Sequence, residues 1–495
     1  MSLRNLIENP VCTASELGLP IPDTVHAVSV ALPLWEHVVG YEEGDPSIVS
    51  RMRTGYPRFL VHDLVKEVAA RMAGNRPCLP FPSRAVAERC RQFISDQCGA
   101  SSDLVSDAEL FGVATSENGS DALKAFWQHS GLIVSTRQAE AHLEGRSVSA
   151  GDAQELRSSI RDQVAEFYNC ATDDVFLYPT GMAAIYRILL SCIQRRSGQP
   201  TIQFGFPYVD TLKVQEKLGD GSSFFPEIDE GVYEKLSQSL ASAGCNACYC
   251  EIPGNPLLSC PDMSRLVPIL RENNVPLIID DVIATPVNVD VSDYADVVVT
   301  SLTKYFAGSG DVMAGAVICN PRSAYYDDLK SRLADGHEDL LWIDDAAVLN
   351  AQISSLPERM RLHNNAGLYV AERLRKHPAI KHVWYPRWEC NDAYEQVRRP
   401  DGGWGSLLSF IPEDAETVSP ALYDALPLCK GPSLGTSFTL VCPFTLMAHF
   451  NELEWAESCG VSRYLIRMSV GTENPQVLWQ RIEEALSKVA ASSAA

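Results

Sequence analysis

The chain has 495 residues, of which 46% are hydrophobic and 21% charged, and its 41 basic against 63 acidic side chains give a formal charge of −22. That composition belongs to a globular protein with material for about two to four domains and a large core. The acidic balance excludes nucleic acid or an anionic membrane surface as the main partner, since either demands a basic face, and no apolar run approaches the roughly 18 residues that cross a bilayer.

The opening stretch MSLRNLIENPVCTASELGLP has neither the apolar core of a signal peptide nor the Arg-rich amphipathic pattern of a transit peptide. The 15 cysteines are odd in number and scattered, which fits reduced thiols, so we expect a cytoplasmic protein. Residues 1–75 read as an irregular arm and 76–150 as a helix-rich insertion. From residue 151 helix and strand alternate. GDAQELRSSIRDQVAEFYN places Leu156, Ile160, Val164 and Phe167 on one helical face. Short strands follow at VFLY, TIQFG, ACYCEI, PLIID and DVVVT. Leu277–Ile279 and Val297–Val299 are apolar on both faces, the pattern of strands inside a parallel sheet covered by helices. Cys245, Cys248 and Cys250 belong to such a buried strand rather than to a metal site, because no second Cys or His pair stands at zinc spacing. After about residue 345 the helical patterns lengthen. Asn474 and Pro475 open a final helix whose buried face is Leu478, Ile482 and Ala485. The reading is a large α/β domain over 151–345 and a smaller α+β domain over 346–495.

In an open α/β sheet the ligand lies at the carboxyl ends of the strands, and Asp280, Ser301 and Lys304 all fall there. VVVTSLTKYFAGSGDVMAGAV sets Lys304 just beyond an apolar strand with Ser301 and Thr303 close by. An amine so placed can capture an aldehyde as an imine while the hydroxyls take phosphate oxygens.

These segments together resemble the γ-family of pyridoxal 5′-phosphate (PLP) enzymes that handle cysteine, methionine and homoserine derivatives, the cystathionine γ-synthase group, and its fungal members most of all. The similarity spans roughly residues 151–490 plus a patch near residue 53. SLTKY resembles the family's Ser-x-Thr-Lys-Tyr motif, which implies that Lys304 holds PLP and that Ser301 and Thr303 are phosphate ligands. IIDDVIATP implies that Asp280 pairs with the ring nitrogen. YPTGMAAIYRILL resembles the phosphate turn, which implies backbone N–H groups of Gly181 and Met182 aimed at phosphate, with Thr180 in place of serine. FPYVDTLKV is similar to the family's Tyr-Gly-Gly-Thr-Tyr-Arg stretch with Tyr208 first. Tyr208 is then expected to stack on the cofactor and, as phenolate, to assist proton transfer, although Val209 and Asp210 replace both glycines. EIPGNPLL implies that Asn255 meets the cofactor's 3′ oxygen, with Glu251 as support. LIRMSVG implies that Arg467 clamps the substrate α-carboxylate, and PSLGTSFTLVCP gives Ser433 a second contact to it. Phe438 stands where the family often has Glu, which implies a less polar distal pocket. RMRTGYPRF resembles the Tyr-x-Arg-x-Gly-Asn-Pro patch, which implies that Arg53 reaches the phosphate of a neighbouring subunit. Arg51 then occupies the tyrosine's place, and Tyr56 is a candidate to compensate.

The resemblance implies an aspartate aminotransferase-like, fold-type I PLP-dependent transferase, with active sites completed across a homodimer and a homotetramer as the assembly. It implies γ-substitution on O-acetyl-L-homoserine through a vinylglycine-type intermediate, with Lys304 as the base. Cysteine as nucleophile gives cystathionine. A carbon nucleophile of the acetoacetate type gives a C–C bond, as in fungal pipecolate and alkaloid pathways. A γ-eliminating lyase and an inactive regulatory family member are the remaining alternatives. No metal, nucleic acid or membrane partner is expected.

Overall fold

The computed structural model describes residues 4–146 and 149–493. Its largest element is a seven-stranded sheet made of β4 (Val175–Tyr178), β5 (Thr201–Phe204), β6 (Ser222–Phe225), β7 (Cys248–Glu251), β8 (Leu277–Asp280), β9 (Val297–Thr300) and β10 (Gly315–Cys319), in the order β4-β10-β9-β8-β7-β5-β6. Strands β6, β5, β7, β8 and β9 run parallel, and β10 is antiparallel to both its neighbours. Side chains alternate between the two faces of a strand, and here each face feeds its own core. Leu277, Ile279 and Val298 join Ile160 and Val164 of the helix Ala150–Tyr168 on one side. Ile278, Val297 and Val299 join Ile185 and Leu189 of the helix Gly181–Arg195 on the other. A fully buried aliphatic side chain contributes about 1.5–3 kcal/mol, so this two-sided packing fixes where the strand ends lie. All five strands expected from sequence form. The sheet adds β6 and β10, which sequence reading passed over. The three cysteines are buried at β7 and its approach, as expected.

Residues 76–150 hold, besides helices, a small sheet that sequence reading passed over. Three helices (Arg84–Cys98, Glu117–Ser130, Thr136–Leu143) are joined by an antiparallel sheet of β1 (Cys78–Phe81), β2 (Ser102–Asp107) and β3 (Leu110–Thr115). The block shares a core with the large domain, and Phe126 meets Tyr186 with ring centroids 6.2 Å apart.

The C-terminal part carries a five-stranded sheet of β11 (Ile380–Trp384), β12 (Leu407–Pro412), β13 (Cys429–Lys430), β14 (Leu440–Pro443) and β15 (Ile466–Ser469), ordered β11-β12-β15-β14-β13. The last helix, Pro475–Ser493, opens as expected, with Asn474 Oδ1 accepting from the N–H groups of Gln476 and Val477 at 3.0 and 3.1 Å. Leu478, Ile482 and Ala485 are buried. The N-terminal residues pack in part against their own chain. Leu17, Val30, Leu32 and Val38 pack on the C-terminal sheet of their own chain, and an 11-residue helix, Asp63–Ala73, follows. Among the described residues no helix is long and apolar enough to cross a membrane, and no cluster of His, Cys, Asp and Glu could hold a metal.

Candidate active site

A cavity of about 730 Å³ opens where the strand ends of the large sheet meet the C-terminal sheet, and it is lined by Gly181, Met182, Tyr208, Asn255, Asp280, Ser301, Lys304 and Arg467. Lys304 sits on the turn after β9. Its Nζ donates to Ser433 Oγ at 3.0 Å and lies 4.7 Å from the centre of the Tyr56 ring. Burial, with the Arg467 cation nearby, pulls its amine below the ordinary lysine range.

The anion cradle lies beside it. Thr180 caps the helix Gly181–Arg195 by accepting from Ala183 N at 3.0 Å. This leaves the Gly181 and Met182 N–H groups at the positive end of the helix, where phosphate binds well. A Cβ on Gly181 would come within 2.7 Å of Ser301 Cβ, so glycine is what lets the helix start and the lysine turn approach. Thr303 differs from expectation: it is buried off the cavity, and its hydroxyl accepts from Ala314 N at 3.0 Å, bracing the turn.

Asp280 ends β8 beside Glu251 of β7. Oδ1 accepts from Val282 N at 2.9 Å and no cation among the described residues pairs with the carboxyl, so burial pushes it up to about 7. Glu251 accepts from the N–H groups of Tyr208 (2.6 Å) and Asn255 (3.1 Å), and burial with Asp280 alongside raises it well above the carboxylate range. Two adjoining carboxyls without a counter-charge fit a ligand that brings a protonated ring nitrogen, as PLP does. The neighbouring Asp281 accepts from Tyr168 OH at 3.0 and 2.9 Å.

Arg467 on β15 is 4% exposed and has no acidic partner among the described residues. It donates to Asn255 Oδ1 (3.2 Å) and Pro432 O (2.6 Å) and stacks on Phe444, 4.8 Å from the ring centre. A buried guanidinium left open in this way suits a carboxylate. Asn255 therefore braces the arginine, and Ser433 is engaged by Lys304 rather than turned towards a substrate carboxylate.

The aromatic side of the cavity corrects two expectations, for Tyr208 and Phe438. Arg53 is exposed and outside the cavity of its own chain. The arginine inside it is Arg58, which donates to Gln128 O (2.7 Å) and Tyr208 OH (2.6 Å) and is ion-paired with Asp210. His129 Nδ1 lies 3.1 Å from Asp210 Oδ1 and its Nε2 3.2 Å from Lys217 Nζ. Asp210, which stands where the family has glycine, is thus the counter-ion of Arg58. Burial would raise its carboxyl, but Arg58 and His129 hold it down at about 2. Tyr208 is not a ready phenolate, because burial drives its hydroxyl well up. Tyr56 is shifted the other way: burial alone would raise it, and the Lys304 and Arg58 cations bring it below the ordinary phenol range. Phe438 does not line the cavity. It is buried against Leu6, Val11 and Ile21. The signal that sequence reading missed was the Tyr-x-Arg spacing of Tyr56 and Arg58, five residues beyond the match taken at Arg51 and Arg53.

Residues 152–487 match the family described as Cys/Met metabolism PLP-dependent enzyme, and residues 60–135 match the fungal trans-sulfuration enzyme N-terminal domain. Among similar proteins, the cystathionine gamma-synthase of Neurospora crassa is 32% identical across 94% of this chain and 96% of its own length. The cystathionine gamma-synthase-like enzyme iboG2 of Amanita muscaria is 30% identical across 95% and 96%. The crystal structure of cystathionine gamma synthase from Xanthomonas oryzae pv. oryzae superposes with a TM-score of 0.61 at 23% identity, over 70% of this chain and 89% of that one, a likeness of fold. With its lysine turn, anion cradle and uncompensated carboxyl pair all suited to PLP, the chain belongs to the Cys/Met metabolism PLP-dependent enzymes, in the cystathionine gamma-synthase group.

Proposed function

We propose that the protein catalyses γ-substitution on O-acetyl-L-homoserine with cysteine as nucleophile. The observation that carries this reading is the buried, anion-free guanidinium of Arg467 sharing one cavity with Lys304. A substrate with an α-carboxylate is held there bidentately, its amino end beside the lysine. PLP, when bound, supplies the electron sink that makes the substrate's Cα–H bond acidic. Asp280 keeps that ring charged. Lys304, with its amine below the usual range, takes the Cα proton near neutral pH. Ser433 Oγ, 3.0 Å from Nζ, steadies the amine between transfers.

Phe59, Phe444, Met447 and Phe450 contribute apolar surface to the cavity wall, which favours a carbon nucleophile as the second reading. Arg53, exposed and clear of its own cavity, supports a homodimer in which it meets the partner's phosphate. We carry homotetramer and cytoplasmic location as parts of this proposal.

The test is incubation of PLP-loaded enzyme and its Lys304→Ala variant with O-acetyl-L-homoserine and either cysteine or acetoacetate, with products identified by mass. Cystathionine from the wild type alone is the expected result. A carbon–carbon product formed in preference moves the assignment to the second reading. Ammonia and 2-oxobutyrate as the only products in both mixtures overturn both in favour of an eliminating lyase.

A further inference from the structure

Lys304 serves the substrate's own protons, but a nucleophile that arrives protonated needs another acceptor. The far wall of the cavity holds one. His449 closes the short helix Phe444–His449 and lines the same cavity as Lys304. Its ring packs among Phe206, Trp455 and Phe444, with centroids 5.3, 5.5 and 6.1 Å away, and its side chain is 1% exposed. Phe444 is the ring on which Arg467 stacks. The imidazole and the carboxylate clamp therefore share the Phe444 ring as a common neighbour.

Its hydrogen bonding is half complete. Nδ1 is 2.9 Å from Glu452 Oε1. A carboxylate can only accept, so Nδ1 carries the proton and Nε2 keeps a lone pair. Nε2 has no hydrogen-bond partner among the described residues although it is shielded from bulk water. Glu452 is itself fixed by Lys213 Nζ at 3.0 Å, and Lys213 and Glu452 also line the cavity. The charged groups that face His449 are Glu452, Lys213 and, from the helix Val209–Leu218, Asp210. Burial holds the imidazole below the ordinary histidine range against the pull of Glu452, so the ring is neutral and able to accept at neutral pH.

We propose that His449, oriented by Glu452, is the base that deprotonates the incoming nucleophile, a thiol or an enolisable C–H acid. This rests on the γ-substitution reading above. The nucleophile's X–H bond breaks and its proton goes to Nε2. The freed electron pair forms the bond to Cγ, which the acyloxy group has left with its own bonding pair as a carboxylate. The imidazolium then returns its proton to water, so each turnover releases one carboxylate and one proton. Glu452 is a positioning residue in this step and Lys213 holds it in place.

The experiment uses the PLP-loaded enzyme in heavy water and follows two rates by mass: deuterium entry at Cα of O-acetyl-L-homoserine without nucleophile, and replacement with cysteine. For His449→Gln we expect Cα exchange within about twofold of wild type and replacement at pH 7 reduced by about 10²-fold or more, the usual weight of a general base. Glu452→Gln should give the same split at about tenfold. Raising the pH to about 9 ionises the cysteine thiol itself, whose ordinary pKa is about 8.5, so the deficit of both variants should shrink there. A purely structural role would not produce that recovery. The proposal is overturned if His449→Gln replaces at the wild-type rate, if exchange and replacement fall together, or if the deficit is the same at both pH values. Should His449→Gln fail to fold, Glu452→Gln, which keeps the ring, decides by the same criteria. A wild type that exchanges no deuterium overturns the substrate reading itself, and this inference with it.

Discussion

Two groups of buried charge share the cavity and are built on opposite principles. Around Arg58 every charge is answered: Asp210, Tyr208 and Gln128 complete the guanidinium, and His129 and Lys217 continue the chain outward. At the ends of β7 and β8, Glu251 and Asp280 adjoin with no cation among the described residues, and Arg467 has no anion among them. Burying an unmatched charge is expensive, so a fold keeps one only where something else supplies the match. The closed group is architecture and the open group awaits ligand. Breaking each should therefore have opposite consequences.

The largest effect is expected in the closed group. Asp210→Asn strands the Arg58 cation in a site where its side chain is 1% exposed, and loss of one partner from a buried pair costs about 3–5 kcal/mol. A denaturant midpoint on protein free of PLP measures it. A loss under about 1 kcal/mol would mean that Arg58 finds another partner and that the cluster is not structural. The open group should behave the other way. Asp280→Asn leaves the PLP-free protein as stable as wild type or slightly more so, while PLP binding, titrated by absorbance, weakens by about 10–100-fold, the worth of one charged hydrogen bond of about 1.5–3 kcal/mol. Equal destabilisation of both forms would erase the distinction between the two groups. The open group also shows in the pH dependence. Burial raises the Asp280 carboxyl from 3.8 to about 7, so the fold prefers the neutral form. That stability is fully present below about pH 4 and is lost as the pH rises through about 7. The PLP-free protein should accordingly weaken across this range, and Asp280→Asn should flatten the slope. It should not abolish it, because Asp281 is also raised to about 7.

What could be read from sequence was what short spacing encodes. The apolar run before Lys304, the Asn474-Pro475 helix start and the Thr180-Gly181-Met182 turn are local patterns, and each forms where expected. What could not be read was set by contacts between distant residues. Asp210 looked like a damaged family motif because its partner, Arg58, lies 152 positions away. Phe438 was assigned to the cavity from its place in a motif, yet packing against the first 31 residues turns it aside. Thr303 and Ser433 bear the right hydroxyls, but Ala314 and Lys304 engage them. Strands β2 and β3 are half polar and joined by a tight turn at Ala108, whose φ is 48°, so their period was too weak to separate from loop. His449 has no motif to announce it. Only the geometry of its two nitrogens marks it out.

The placement of the first sixty residues has a consequence for how the molecule is made. Tyr56 and Arg58 leave the ribosome long before Asp210, and the Ile7 carbonyl must wait for Arg481, 474 residues later. Contacts of such separation close slowly. The opening segment is therefore secured in two stages, first on the large domain through Val28 and Arg58 and later on the C-terminal sheet. An active centre that includes Arg467 is thus incomplete until the strand Ile466–Ser469 has been made.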